Sequence, residues 1–381
     1  MNTIILHADV ITPRGVISDA ILTAENGVIT RLEPYHPSIP LPSGEVVDAA
    51  GLLASPGWID IQINGAFGYD FTNQPDSIWE TARLLPRLGI TSFLPTIITS
   101  PLETHRRAIQ TWKEGPPPGW RGATPLGFHF EGPFINPGKK GAHNPQYILS
   151  PNPQLIPEWR VENGLRLVTL APELPGAHEL IRELRGRGIV VSAGHSLATY
   201  EQATEAFEAG ITCGTHLFNA MPTLDHRFPG LAGALLTHPE IPAGLIADGI
   251  HTHPAFLQLA WACKGPDSII LITDAISALG MPPGEHLLGE TIIYVDGKCA
   301  RLKDNTLAGS ILTPQSALQN MIRICGASLE AILPTLTLNP ARLLGLKKKG
   351  RLEIGCDADI TLINPKGEVQ ATIVGGKLST S

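Results

Sequence analysis

The chain has 381 residues, enough to bury a large core as one big barrel with additions or as two domains. Its 43% hydrophobic and 17% charged residues are ordinary for a globular enzyme and argue against disorder. A net charge of −7 speaks against a nucleic-acid surface, and the one basic cluster, Lys347 to Lys349, is too short to reverse that. The first segment, MNTIILHADVITPRG, has an apolar run broken by His7 and Asp9 and reads as a strand, not a signal peptide. Short strands continue to about Ala54, with turns at Pro13-Arg14-Gly15 and Asn26-Gly27.

Next come strand-like runs alternating with helix-like ones, the pattern of a parallel sheet. The runs are GWIDIQIN, TSFLPTI, LGFHFEG, LRLVTLAPE, IVVSAGHS, CGTHLFN, AGLIADG and SIILITDA. Helix-like stretches between them include SIWETARLLPRLG, AHELIRELRGRG and LATYEQATEAFEAG, the last two closed by glycine. Eight strands suit a closed (β/α)8 barrel of the TIM type. An open doubly wound sheet is the alternative, but no G-x-G-x-x-G follows the first strand. GKKGAHNPQYILSPNPQ is an oversized loop after the third strand, and GETIIYVDGKCARLKDNTLAGS reads as an inserted hairpin with an Asp-Gly turn. From Gly350 the strand-rich character of the start returns. The expected division is a β-sandwich part at 1–54, a catalytic barrel at 55–349 and a second sandwich part at 350–381. No apolar stretch reaches membrane-spanning length. Five scattered cysteines without a C-x-x-C read as reduced thiols of a cytoplasmic protein.

Polar residues close several of the eight runs: Glu131 in LGFHFEG, His195 in IVVSAGHS, His216 in CGTHLFN and Asp274 in SIILITDA. In a parallel barrel all strands end at one rim, which would gather them. Two imidazoles and a carboxylate suit a catalytic zinc site with a fourth position left for water. Asp274 then remains as a proton carrier, or as a partner that orients a ligand histidine. Gln62 and Asn64 end the first run, and amide side chains are poor zinc ligands, so one tightly held metal is expected. His143, His251 and Arg227 are further polar anchors, the arginine offering a two-pronged fork to phosphate or carboxylate. Glu173 also closes a strand, but with no evident partner it reads as structural.

Taken together, PGWIDIQING, GFHFEGPFINPGKKGAH, SAGHS, THLFNAM, PGLAGALL, ADGIH, LITDA, LAGS and TLNPAR resemble the N-acetylglucosamine-6-phosphate deacetylase family of the amidohydrolase superfamily. The resemblance runs through nearly the whole chain. It implies a (β/α)8 barrel with a small β-sandwich built from both termini, one divalent metal, a small amino-sugar phosphate as substrate, and a homodimer or homotetramer. By motif match, Glu131, His195 and His216 would hold the metal and Asp274 would carry the proton. Ala142, His143, Asn219, Ala220, Arg227, His251, Leu307, Ala308 and Gly309 would hold the substrate, and in similar proteins the arginine can reach a neighbouring subunit's ligand. Related barrel hydrolases usually carry His-x-His where this chain has Gln62 and Asn64, so that position is a vestigial second-metal site. Cyclic-amide hydrolases add a carboxylated lysine at the end of the fourth strand, and LRLVTLAPE has none. A metal-free scaffold would show eroded ligands, and here the expected set is complete. ISALGMPPG after Asp274 departs from the family pattern and bears on the pocket mouth.

Overall fold

The computed structural model describes residues 2–379. Met1, which opens the first expected segment, and Thr380 and Ser381, which close the last, lie outside the described residues. The N-terminal part forms β1 (Asn2–Thr12), β2 (Gly15–Glu25), β3 (Val28–Pro34), β4 (Glu45–Asp48) and β5 (Leu53–Pro56). Between β2 and β3, Asn26 and Gly27 take φ of 51° and 81°, the left-handed pair that a two-residue hairpin turn requires.

β6 (Trp58–Ile63) begins the barrel and is followed by a short pair, β7 (Gly65–Ala66) and β8 (Tyr69–Asp70). The remaining barrel strands are β9 (Ile90–Ile98), β11 (Phe128–Glu131), β12 (Leu165–Leu170), β13 (Val190–Ala193), β14 (Cys213–Gly214), β15 (Ala243–Leu245) and β16 (Ile269–Leu271). β10 (Thr124–Pro125) is an extra strand on β9. The eight barrel strands pair in parallel in chain order, and every residue of β9 is buried, as expected for strands covered on both faces. The ring closes between β16 and β6 through an Ile63–Ala275 bridge. There Asp274 N–H donates to the Gln62 carbonyl at 2.9 Å and Asn64 N–H to the Ala275 carbonyl at 2.7 Å.

Crossovers are α1 (Ile78–Leu84), α2 (Leu102–Glu114), α3 (Ala177–Gly186), α4 (Tyr200–Ala209), α5 (Gly230–Thr237) and α6 (Pro254–Lys264). On α3, Ala177, Leu180, Ile181 and Leu184 are buried, the spacing of one helix face. Thr199 and Gln202 form a reciprocal capping box that starts α4. α1 is shorter than the run SIWETARLLPRLG, because Pro86 converts its last turn to a 3-10 turn. After β11 the oversized loop is built from 3-10 turns in place of a helix.

Past β16 the inserted hairpin is a three-stranded sheet, β17 (Gly284–Leu288), β18 (Thr291–Val295) and β19 (Ala300–Arg301), followed by α7 (Pro314–Cys325). It begins earlier than the run that suggested it; the Asp296-Gly297 turn joins β18 to β19. Along β18, Ile293 and Val295 are buried while Ile292 and Tyr294 are exposed, the period of two of a sheet with one face covered. The covered face packs with Ile98, Ile276, Leu288, Ala300 and Ala308 in a cluster of its own.

The chain ends in β20 (Ile360–Ile363), β21 (Val369–Val374) and β22 (Lys377–Ser379), which join β1–β5 in one eight-stranded sheet through β5. The Asn26-Gly27 turn abuts the Gly375-Gly376 turn, so the sheet folds over a shared cluster that includes Ile5, Val10, Leu22, Ile360, Leu362 and Ile373. This is the sandwich-like unit from both termini that the sequence suggested.

Candidate active site

Glu131 is the last residue of β11, and His195, His216 and Asp274 lie just past β13, β14 and β16, so all four stand at the C-terminal rim of the barrel. His195, His216 and Asp274 adopt left-handed backbone angles, with φ of 48°, 28° and 48°. Such conformations cost on the order of 1–3 kcal/mol each for non-glycine residues and persist where surrounding structure enforces them. They also explain why the runs CGTHLFN and SIILITDA extend well beyond β14 and β16: the backbone leaves the strand at His216 and at Asp274, at the rim of the barrel.

Glu131 Oε1 lies 3.2 Å from His195 Nε2 and 3.1 Å from His216 Nε2, and the two nitrogens are 3.1 Å apart. Three such edges form one face of a tetrahedron whose centre sits about 1.9 Å from each corner, close to zinc–nitrogen and zinc–oxygen bond lengths. His195 Nδ1 is 2.8 Å from the Lys139 carbonyl, to which it can only donate, so its Nε2 lone pair faces the cluster. All three residues are buried. Burial works to raise the Glu131 carboxyl, but hydrogen bonds and charge from His195 and His216 outweigh it and hold it well below the usual range. Burial works to lower His216, and Glu131 holds it above its ordinary value. The point between these groups therefore favours positive charge, and the donor set fits a divalent metal.

Gln62 and Asn64 meet Asp274 directly. Asn64 Nδ2 donates to Asp274 Oδ1 at 2.8 Å, and Gln62 Nε2 donates to the same oxygen at 3.2 Å and to Glu131 Oε1 at 2.9 Å. The two amides act here as hydrogen-bond donors that position carboxylates. Burial, and then the Glu131 charge, push the Asp274 carboxyl up to about 6, with His216 and Asn64 working the other way.

A cavity of about 520 Å³ opens over this floor. It is lined by Asn64, Glu131, Ala142, His143, His195, His216, Asn219, Ala220, His251, Asp274, Leu307 and Gly309. Gln62 lies buried beside it, and Ala308 is buried behind it, its N–H held by the Ala300 carbonyl at 3.1 Å. Arg227 stands apart, exposed on the loop before α5 and absent from the lining. His143 Nδ1 accepts from Thr99 N–H at 3.3 Å and lies 2.8 Å from Thr99 Oγ1, which leaves a proton on Nε2. Burial, and then His195, push His143 down to about 3, so it is a neutral donor. His251 Nδ1 pairs with Asp248 Oδ2 at 2.6 Å. Burial opposes the Asp248 charge, but the hydrogen bond from His251 outweighs it and holds the carboxyl below its usual range.

Asp248, Thr99, Lys139, Arg301, Asn305 and Thr306 were not singled out from the sequence. Asp248 carried a signal, a carboxylate three residues before a histidine in ADGIH; the others carried none. Glu173, read as structural for want of a partner, has three: it accepts from Asn136 Nδ2, Ser196 Oγ and Leu197 N–H at 2.9, 2.7 and 2.6 Å. It ties together the loops that carry the site.

Residues 53–379 match the amidohydrolase family. N-acetylglucosamine-6-phosphate deacetylase of Bos taurus is 42% identical over 349 residues, covering 87% of this chain and 84% of the relative. The Bacillus subtilis (strain 168) protein of the same name is 36% identical over 377 residues, covering 97% and 95%. The crystal structure of N-acetylglucosamine-6-phosphate deacetylase from Pasteurella multocida aligns with a TM-score of 0.91 at 29% identity over 100% of both chains. A mutant of the Mycobacterium smegmatis deacetylase, solved in complex with N-acetyl-D-glucosamine-6-phosphate, aligns with a TM-score of 0.89 at 30% identity over 100% of this chain and 99% of that one. The barrel, the ligand cluster and a likeness that spans the chain agree: this protein belongs to the amidohydrolase family, on the branch of the N-acetylglucosamine-6-phosphate deacetylases.

Proposed function

We propose that this chain hydrolyses the acetamide of N-acetyl-D-glucosamine 6-phosphate, giving D-glucosamine 6-phosphate and acetate. The observation that carries the reading is one cavity in which a buried carboxylate–histidine–histidine cluster faces a second buried carboxylate, Asp274, held by two amide donors. Glu131, His195 and His216 would hold one divalent ion, zinc by donor type, which supplies Lewis acidity and eases ionisation of water. Asp274, raised to about 6, suits a group that alternately takes and gives a proton near neutral pH. It accepts a proton from the attacking water as oxygen bonds to the acetyl carbon. It then delivers that proton to the sugar nitrogen as the carbon–nitrogen bond breaks. His143, neutral with its proton on Nε2, donates to the carbonyl oxygen as negative charge gathers there. In a homodimer or homotetramer, Arg227, exposed on the loop before α5, would serve a neighbour's cavity. The five cysteines are all unpaired, which supports a cytoplasmic setting; among the described residues no helix is long and apolar enough to cross a membrane.

Acetate release from N-acetylglucosamine 6-phosphate, measured beside unphosphorylated N-acetylglucosamine with zinc-defined enzyme, tests the reading. Strong preference for the phosphorylated sugar is the expected result, and activity on neither would remove the substrate assignment. Asp274→Asn should keep its metal content and lose turnover by about a thousandfold. Wild-type turnover in that variant would show the mechanism to be wrong.

A further inference from the structure

A metal held by Glu131, His195 and His216 asks that three donor atoms from three strand ends stay converged. His195 lies two residues beyond β13, with a φ of 48° that persists only where the surroundings enforce it. Two of the enforcing bonds come from the chain after β11. The His195 carbonyl accepts from Asn136 N–H at 2.9 Å, and His195 Nδ1 donates to the Lys139 carbonyl at 2.8 Å. Asn136 also starts the 3-10 turn that presents this carbonyl, its Oδ1 accepting from Gly138 N–H at 2.9 Å. The ligand is therefore aimed by a neighbouring loop, and its position depends on what joins that loop to its own.

Glu173, half-buried in the turn after β12, makes that joint. Its Oε1 accepts from Asn136 Nδ2 at 2.9 Å and from Leu197 N–H at 2.6 Å, and its Oε2 accepts from Ser196 Oγ at 2.7 Å. Ser196 Oγ accepts in turn from Ala198 N–H at 2.9 Å, which shapes the turn that follows the ligand. The bonds close a ring around the His195 backbone. It runs from Glu173 to Asn136, from Asn136 N–H to the His195 carbonyl, and from the two residues after His195 back to Glu173. The ends of the third, fourth and fifth barrel strands meet in it. All three groups facing Glu173 are donors, which a carboxylate matches because it offers acceptors alone. Glu173 does not itself line the cavity.

We propose that Glu173 is a positioning residue that sets how tightly the cluster holds its metal, by fixing the backbone that carries His195. The assignment rests on the metal-holding part of the reading above and is independent of the substrate. It is tested by measuring zinc dissociation constants, in competition with a chelator of known affinity, for wild type, Glu173→Ala, Glu173→Gln and Ser196→Ala. Urea midpoints of the metal-free proteins are measured beside them. Glu173→Ala should bind zinc roughly tenfold to a hundredfold more weakly. Glu173→Gln should stay within about threefold of wild type, since its carbonyl oxygen keeps Asn136 and Leu197 N–H while its amide can donate to Ser196 Oγ. Wild-type zinc affinity in Glu173→Ala, even with a lowered urea midpoint, would make the carboxylate a prop of the loops alone and overturn the assignment. A loss in Glu173→Gln as large as in Glu173→Ala would also overturn it, because charge and not hydrogen-bond geometry would then govern affinity. Ser196→Ala removes one bond of the ring and decides the matter should Glu173→Ala not fold: zinc binding weakened about threefold or more supports the assignment, and unchanged binding overturns it. Absence of zinc binding in wild type would remove the metal reading and this one together, whereas wild-type affinity in Glu173→Ala removes this one alone.

Discussion

Asp60 shows what the barrel interior does to an ionisable group. It lies in β6, with Oδ2 accepting from Thr273 Oγ1 at 2.6 Å and Oδ1 from Gln62 N–H at 3.1 Å. Burial pushes its carboxyl up to about 7, against the pull of those hydrogen bonds. Between about pH 4 and pH 7 the unfolded chain would have released this proton while the folded chain keeps it, so stability falls as pH rises through that window. The change amounts to as much as about 4 kcal/mol and is complete above the folded value. Asp60→Asn should remove it: the loss in urea midpoint from pH 5 to pH 8 should be smaller than in wild type, and an unchanged loss would refute the assignment. Residues of this kind mark the limit of reading from sequence. Glu131, His195, His216 and Asp274 were legible because each interrupts an apolar run at its end. Asp60 sits inside such a run and looks like an ordinary alternation. Arg301, which lines the cavity, was hidden for another reason, since its place there comes from hairpin register, which no periodicity reveals.

At the scale of elements, the inserted sheet has its own small core with Ile98 and Ile276 and is further clasped at the β17–β18 turn. The β17–β18 turn is fixed by Asp70, which accepts from Gly289 N–H at 3.0 Å, and by Asn73 Nδ2, which donates to the Gly289 carbonyl. From the other side Tyr147 and Asn144 of the oversized loop donate to Glu290, at 3.2 and 3.3 Å. The sheet carries Arg301 and leads into Leu307, so loosening this clasp should be felt in the cavity. Glu290→Ala should raise KM for the phosphorylated sugar about threefold, leave metal content unchanged and speed proteolysis within 284–301. Unaltered KM together with unaltered cleavage would show the clasp to be incidental. The strands themselves were well marked in the sequence by apolar runs, and α3 and α4 by spacing and caps. The late strands were overestimated in length because His216 and Asp274 turn the backbone out early.

For the molecule as a whole, the terminal sheet is pinned to the end of the barrel by Lys349. Its ammonium meets Asp359 and, at 3.1 Å, Asp357, in a largely buried pair. Burial works to lower Lys349, but Asp359 and Asp357 hold it above the ordinary lysine value. Its contribution is therefore full below that ordinary value and is lost as pH rises beyond it. Lys349→Met should cost about 3 kcal/mol near neutral pH, since Asp359 would remain buried without its cation. A wild-type urea midpoint in that variant would contradict the account. In the sequence this lysine belonged to a short basic cluster that gave no hint of a buried role.

The seam that closes the barrel has a further consequence. Asp274 is fixed by Gln62 and Asn64, side chains of the first strand region, and its own backbone pairs there as well. The cluster of Glu131, His195 and His216 draws on strands three, five and six, and so is available earlier in synthesis. Asp274, the proposed proton carrier, takes up its position only when the eighth strand docks against the first. A nascent or clipped chain could thus gather its ligands yet remain inert. Turnover in this fold serves as a certificate of a closed barrel, issued at the joint between its first strand and its eighth.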